Sequence, residues 1–193
     1  MISRVQGTLL TRESTRVEVE TRAGVVYEVE VPITVLERLP DRGDLVELRT
    51  VQIVTESSVA LYGFLSVHER SLFQRLLTAS GVGPKLALSM MSTYSAERLA
   101  RALIDKDVAA LVQVPGVGRK TAEKLSVELS DRVADLAFIT PSEPSGGNVA
   151  QEAVQALISL GYTFGDADKA VRSALEGGTP KSAEELIRRA LAG

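Results

Sequence analysis

The sequence predicts an α+β chain of several domains: a small five-stranded barrel, a pair of helical hairpins and a three-helix bundle. Three observations carry this. Residues 1–64 alternate apolar and polar side chains with the period of strands. Two Gly-x-Gly turns stand 35 residues apart (116 − 81), each between segments with helical periodicity. A Pro/Ser/Gly-rich stretch at 141–148 then precedes a last helical segment, 149–193.

The strands come first. Ile2 to Leu10 reads as one strand, and Thr15 to Thr21 as the next, with Val17 and Val19 alternating with Glu18 and Glu20. Ala23-Gly24 supplies a turn, and Val25 to Val31 returns with the same alternation. Pro32 to Leu39 has room for a short helix before Pro40, and Asp41-Arg42-Gly43-Asp44 is a turn. Leu45 to Val54 and Val59 to Phe64 complete five strands. Five strands with one small helix point to a closed barrel of the OB type. Base stacking, a common use of such a barrel, is poorly supplied: only Tyr27, Tyr62 and Phe64 are available.

Residues 65–140 hold the two hairpins, Gly81-Val82-Gly83-Pro84-Lys85 and Gly116-Val117-Gly118-Arg119-Lys120. Glu69 to Thr78 places Leu72, Phe73, Leu76 and Leu77 on one helical face. Pro84 suits the first position of the following helix, which Leu86, Ala87, Met90 and Met91 continue. Val108, Leu111 and Val112 lead into the second copy, and Pro115 closes that helix. Thr121 to Asp131 follows, with Ala122, Leu125, Val127 and Leu129 expected inside. Glycine permits positive φ and lets a backbone approach a ligand closely. Successive N–H groups in such a turn form an anion site, and the next helix aims its positive dipole end at it. A lysine at each exit adds a full charge. The expected ligand is a phosphate, and two copies at fixed separation suggest a nucleic-acid backbone. One Gly-x-Gly between helices is often only a packing turn. Two copies sharing Gly-Val-Gly-x-Lys form the pattern of a tandem helix-hairpin-helix domain, the sort that grips duplex DNA across its minor groove. The residues assigned to DNA are Gly81, Val82, Gly83 and Lys85, then Gly116, Val117, Gly118, Arg119, Lys120 and Thr121.

Charge agrees with that placement. The whole chain carries −3, but residues 64–140 hold 10 basic and 8 acidic side chains, net +2. Residues 1–63 hold 7 and 10, and residues 141–193 hold 5 and 7. The one positive segment is the one with the hairpins. There is no cysteine, which excludes disulfides and cysteine metal sites, and the single His68 cannot build a metal site or a hydrolytic triad alone. No cofactor is expected. Neither a long apolar run nor a signal-peptide pattern occurs, so no membrane association and a cytoplasmic location are expected. No Walker A motif is present, so the chain should not hydrolyse ATP itself.

The last segment reads as three short helices, Val149 to Leu160, Phe164 to Leu175 and Ser182 to Leu191. Gly177-Gly178-Thr179-Pro180 separates the last two, and Ser182 with Glu185 has capping-box spacing. A tethered bundle without a catalytic group is expected to bind another protein.

The order of these parts, with Met1-Ile2-Ser3-Arg4-Val5-Gln6-Gly7, Leu61-Tyr62-Gly63-Phe64, Gly81 to Leu88, Pro115 to Glu123 and Leu160-Gly161-Tyr162, resembles the RuvA family. These are the DNA-binding subunits of bacterial Holliday junction branch-migration complexes. The resemblance covers essentially the whole chain. It implies a homotetramer, or an octamer of two face-to-face tetramers, holding a four-way DNA junction open. It implies that the bundle, through Leu157, Leu160 and Tyr162, recruits the hexameric ATPase RuvB, with the resolvase RuvC as a further partner. It also implies an acidic pin at the junction centre. Glu56 fits that pin, whereas Ser57 stands where a second acid is usual.

Two other readings compete with this one. The second hairpin also resembles that of helix-hairpin-helix DNA glycosylases, where a lysine in the position of Lys120 is the nucleophile. That chemistry needs a carboxylate about eighteen residues on, where Phe138 lies; Asp131 and Asp135 are the nearest acids. A non-specific duplex-binding module is the other rival, and it would not need the C-terminal bundle.

Overall fold

A computed structural model describes residues 1–136, 153, 154, 156–158, 160, 162, 164–176 and 183–192. The chain divides into two compact units, Met1–Phe138 and Ile139–Gly193.

The first unit opens with a closed barrel of order β1-β2-β3-β5-β4. Its strands are β1 (Arg4–Glu13), β2 (Arg16–Glu20), β3 (Val26–Glu30), β4 (Leu45–Val54) and β5 (Val59–Phe64). β1 runs three residues past the expected Leu10. Its first half pairs with β4, from Arg4↔Arg49 to Thr8↔Leu45, and its second half pairs with β2. A bulge between Leu9 and Thr11 bends it from one partner to the other. Gly7, two residues before the bulge, passes close to β2: a Cβ there would stand 2.0 Å from the Glu20 carbonyl oxygen. A single parallel pairing, Glu30↔Tyr62, closes the barrel. Valines and leucines fill it, among them Val5, Leu9, Val17, Val19, Val29 and Leu48.

The β3–β4 connection holds α1 (Ile33–Leu36), a single turn shorter than the segment allotted to it. Arg12 of β1 holds its C-terminal end by donating to the Leu36 carbonyl at 2.7 Å.

Six further helical pieces follow in the same unit: α2 (Val67–Leu76), α3 (Pro84–Thr93), α4 (Ala96–Ile104), α5 (Val108–Val112), α6 (Arg119–Val133) and a 3-10 turn, Ala134–Leu136. α2 starts before Glu69 because Ser66 caps it. The Ser66 Oγ accepts from the Glu69 N–H at 3.1 Å, and the Glu69 carboxylate accepts from the Ser66 N–H at 2.9 Å. Such a reciprocal box contributes about 1 kcal/mol. α4 was not anticipated, although Ser95 caps it and Leu99, Ala100, Ala102 and Leu103 form its buried face. α6 buries Ala122, Leu125, Ser126, Leu129 and Val133, the i, i+3, i+4 stripe of one face. Val127, expected inside, is 67 % exposed, because one residue past Ser126 rotates it about 100° off that stripe.

The barrel and the helices of this unit share a seam. Phe73 of α2 stacks on Tyr62 of β5 at 5.0 Å and meets Phe64 at the same distance. Two of the three aromatics credited to the barrel therefore serve packing. His68 is exposed in the first turn of α2.

In the second unit residues 153, 154 and 156–158 are helical, followed by α7 (Phe164–Glu176) and α8 (Ala183–Ala192). Ala153, Leu157, Ala167, Val171 and Leu186 form its core. The linker at 141–148, the break at 177–180 and the Ser182 cap lie outside the described residues. Among the described residues no helix is long and apolar enough to cross a membrane. No group of three His, Cys, Asp or Glu able to hold a metal ion occurs among them.

Candidate nucleic-acid interface

The two hairpins are copies of one another, bond for bond. In the first, the Ala79 N–H donates to the Leu76 carbonyl at 3.1 Å, Val82 to Ala79 at 3.2 Å and Ala87 to Gly83 at 3.0 Å. In the second, Val114 donates to Leu111 at 3.2 Å, Val117 to Val114 at 3.0 Å and Ala122 to Gly118 at 2.8 Å. Every partner is displaced by 35 residues. Gly81 and Gly116 take φ of 87° and 91°, the left-handed region where glycine costs least.

Gly83 and Gly118 are extended, at φ −91° and −85°, and are the N-caps of α3 and α6. A Cβ added at either would meet nothing within 4 Å. The first amides bonded within these helices are those of Ala87 and Ala122. The N–H groups of the preceding turn therefore point outward, as at any helix start. Only Pro84 lacks one. The second hairpin has Arg119 there and so offers one more donor.

Val82 and Val117 turn their side chains inward. Their side chains are 7 % and 5 % exposed, and their amides are spent on Ala79 and Val114. Their side chains plug the turn into the helical core. Lys85 and Lys120 are exposed and enter no ion pair among the described residues. Arg119 is also exposed, but its Nε lies 3.1 Å from the Glu123 carboxylate. Thr121 is half-buried in the first turn of α6.

The hairpins are tied crosswise. Ser89 of α3 donates to the Pro115 carbonyl of the second hairpin at 3.1 Å. Lys124 of α6 donates to Ser80 Oγ of the first at 2.9 Å. These two contacts join equivalent positions under the 35-residue displacement (115 − 80 and 124 − 89), though through different groups. A local two-fold relation thus fixes the two hairpin turns relative to each other. Sequence reasoning missed Lys124, because only the fold brings the exit helix of one hairpin onto the turn of the other.

The glycosylase reading does not fit this geometry. Asp135 is engaged by Arg75, through paired contacts of which the second is 2.9 Å. The Arg75 hydrogen bond holds its carboxyl below the usual carboxylate range. Asp131 and Asp135 lie toward the far end of α6 from Lys120, roughly 16 and 22 Å along a helical rise.

Glu56 occupies a separate place. Thr55 and Ser58 close a tight turn between β4 and β5, with the Thr55 N–H donating to the Ser58 carbonyl at 2.8 Å and their hydroxyls 2.8 Å apart. Glu56 and Ser57 form its exposed tip. In the second unit, Leu160 and Tyr162 are 63 % and 45 % exposed, but Leu157 is fully buried. Leu157 belongs to the bundle core, and its carbonyl accepts from the Leu160 and Tyr162 N–H groups, both at 3.1 Å.

Comparison with known proteins agrees with this layout. The family described as "RuvA N terminal domain" matches residues 1–63, "SAM-like Helix-hairpin-helix tandem" matches 73–131 and "RuvA, C-terminal domain" matches 148–193. A protein of Gemmatimonas aurantiaca named Holliday junction branch migration complex subunit RuvA is 44% identical over 191 residues, covering 99% of this chain and 97% of its own. Its namesake in Pseudomonas putida strain W619 is 45% identical over 203 residues, covering 100% and 98%. The Pseudomonas fluorescens Pf-5 protein of that name is 43% identical over 203 residues, covering 100% and 99%. With three family domains in order and relatives matched end to end, the chain belongs to the RuvA family.

Proposed function

We propose that this chain is the DNA-binding subunit of a Holliday junction branch migration complex. It holds a four-way junction and, with a RuvB-type ATPase, promotes branch migration in recombination and repair. The observation that carries this is the bond-for-bond duplication of two outward-facing anion turns, locked crosswise at fixed separation on one rigid unit. One turn per strand suits the two phosphate backbones of a duplex arm. The backbone at Gly81, Gly83, Gly116, Gly118 and Thr121 supplies donors, and Lys85, Lys120 and Arg119 supply charge. Such contacts position a duplex without reading its sequence, as a migrating junction requires.

The barrel, in this reading, assembles four copies of the chain and presents Glu56 at the crossover. A homotetramer or octamer follows, with four clamps on four arms. The C-terminal bundle, through exposed Leu160 and Tyr162, takes the ATPase, and the RuvC resolvase is a further partner. The location is the cytoplasm, where the chromosome of a bacterium lies.

The test has two arms. Dissociation constants for a four-way junction and for one of its linear arms should differ, the junction binding tighter, and the solution mass should rise to a tetramer or octamer with junction bound. A chain ending at Thr140 should keep junction binding and lose stimulation of RuvB. Equal affinity for junction and arm would leave only a duplex-binding module. Full branch migration by the shortened chain would remove the bundle from the mechanism.

A further inference from the structure

Both helices that flank the first hairpin are bonded to the β3–β4 connection of the barrel, α3 to α1 and α2 to Arg38 in the turn just after it. On the α3 side, Thr34 Oγ1 of α1 donates to the Met91 carbonyl at 2.7 Å, and the Ile33 N–H donates to Ser92 Oγ at 3.0 Å. On the α2 side, the Arg38 guanidinium pairs with the buried Glu69 carboxylate, while its Nε donates to the Thr34 carbonyl at 2.8 Å. Glu69 is held in turn by the N–H groups of Leu65 and Ser66, at 3.0 and 2.9 Å. α1 is itself anchored to the barrel by Arg12.

We infer that α1 is a strut that holds the first hairpin at a fixed angle to the barrel, and that Thr34, Arg38 and Ser92 are positioning residues for four-way junction selectivity. This rests on the reading of the chain as a junction binder.

The argument is one of direction. The apolar seam of Phe73 with Tyr62 and Phe64 attracts the two parts but sets no angle strongly, because hydrophobic burial is non-directional. Hydrogen bonds and the guanidinium–carboxylate pair are directional. Their placement also gives them leverage. Met91 and Ser92 lie at the C-terminal end of α3, and the hairpin lies at its N-terminal end. Ten residues of helix span about 15 Å, so a tilt of roughly 5° displaces the hairpin by roughly 1.3 Å. That is enough to take an amide out of hydrogen-bond reach of a phosphate oxygen. A linear duplex needs only the hairpins and is indifferent to the barrel's angle. A junction is gripped at its centre and along its arms at once, so every arm tests that angle.

The experiment compares the full-length wild type with Thr34→Val/Ser92→Ala and with the triple variant adding Arg38→Met. Dissociation constants are measured for an immobile four-way junction and for a linear duplex of one arm, at a single salt concentration. The duplex constant should stay within about twofold, while the triple variant binds the junction about tenfold more weakly, since several arms lose effective concentration together. Thr34→Ser, which keeps the hydroxyl, should retain wild-type selectivity where Thr34→Val does not. Thermal midpoints identify any variant that fails to fold, in which case the comparison of Thr34→Val with Thr34→Ser decides. If the wild type prefers junctions and the variants keep the same ratio of constants, the strut role is overturned alone. If the wild type shows no preference, the functional reading falls and this inference with it.

Discussion

Lys124 belongs to the helix that leaves the second hairpin, yet its ammonium stands 2.9 Å from Ser80 Oγ in the first. The Ser80 N–H in turn donates to Glu128 at 2.9 Å, one helical turn further along α6, and Lys124 lies 3.6 Å from the same carboxylate. Each hairpin is therefore braced by the helix that follows the other. The two turns therefore share one frame, and several consequences can be measured.

The four hairpin glycines divide into two kinds. Gly81 and Gly116 have positive φ, and a Cβ at Gly116 would also press on Leu86 at 3.3 Å. Gly81→Ala and Gly116→Ala should each destabilise the fold by about 1–2 kcal/mol. Gly83 and Gly118 have ordinary φ and open space. For Gly83→Ala and Gly118→Ala the preference for glycine at an N-cap opposes the entropy removed from the unfolded chain, leaving stability within about 0.5 kcal/mol. Duplex binding should still weaken roughly tenfold, because the new methyl stands where a phosphate approaches the first-turn amides. Urea midpoints and DNA titrations on the same samples separate the two classes. Undiminished binding by Gly118→Ala would remove the second turn from the interface.

Lys85→Ala and Lys120→Ala should weaken binding by similar factors for all junction sequences. Each should lower the slope of log affinity against log salt by roughly one unit. Arg119→Ala should change that slope less, since Glu123 already offsets its charge. Titrations at four or five salt concentrations provide the slopes, and a loss confined to one DNA sequence would contradict phosphate recognition.

Glu56 is the charged residue at the tip of its turn, beside Ser57. With four copies around a tetramer axis, a separation of about 8 Å and an effective dielectric near 40, each pair repels by about 1 kcal/mol. Glu56→Gln should leave folding intact, tighten duplex binding and lower the discrimination between junction and duplex. The change should be smaller than in relatives with two acids at the tip, because Ser57 adds no charge. An unchanged ratio of the two dissociation constants would exclude the pin role.

The Arg75–Asp135 pair supplies a pH dependence at the end of α6. Its hydrogen bond to Arg75 lowers the Asp135 carboxyl below its ordinary 3.8. The unfolded chain then binds more protons across the interval between the two values, so stability rises with pH there. The contribution is complete above 3.8 and is lost as pH falls through the lowered value. Both groups are partly exposed, so solvent screening keeps it near 0.5–1 kcal/mol. Asp135→Asn should lower the urea midpoint at pH 7, and that difference should shrink as pH is taken progressively below 3.8. A difference independent of pH would assign the effect to packing.

Much of this molecule is legible along the chain. Alternation in β2 placed Val17 and Val19 inward, and the paired Gly-Val-Gly turns with lysine at each exit placed two helix starts, because those signals depend on neighbours a few residues away. Even there, local reading counted Val82 and Val117 as contacts and Val127 as core. Side-chain type does not state which way a turn or a helix faces until its partner is in place. The one-turn extent of α1, the bulge that lets β1 serve two strands, and the burial of Tyr62 and Phe64 beneath Phe73 depend on residues distant in sequence. So do the crossed contacts of Ser89 with Pro115 and Lys124 with Ser80, 26 and 44 residues apart, and the strut from Thr34 to Met91, 57 apart. The sequence by itself determined where the two glycine turns and the helix starts behind them lie. Only the tertiary structure decided the distance and angle at which they are held, because those are set by packing and directional hydrogen bonds between elements that local periodicity cannot relate.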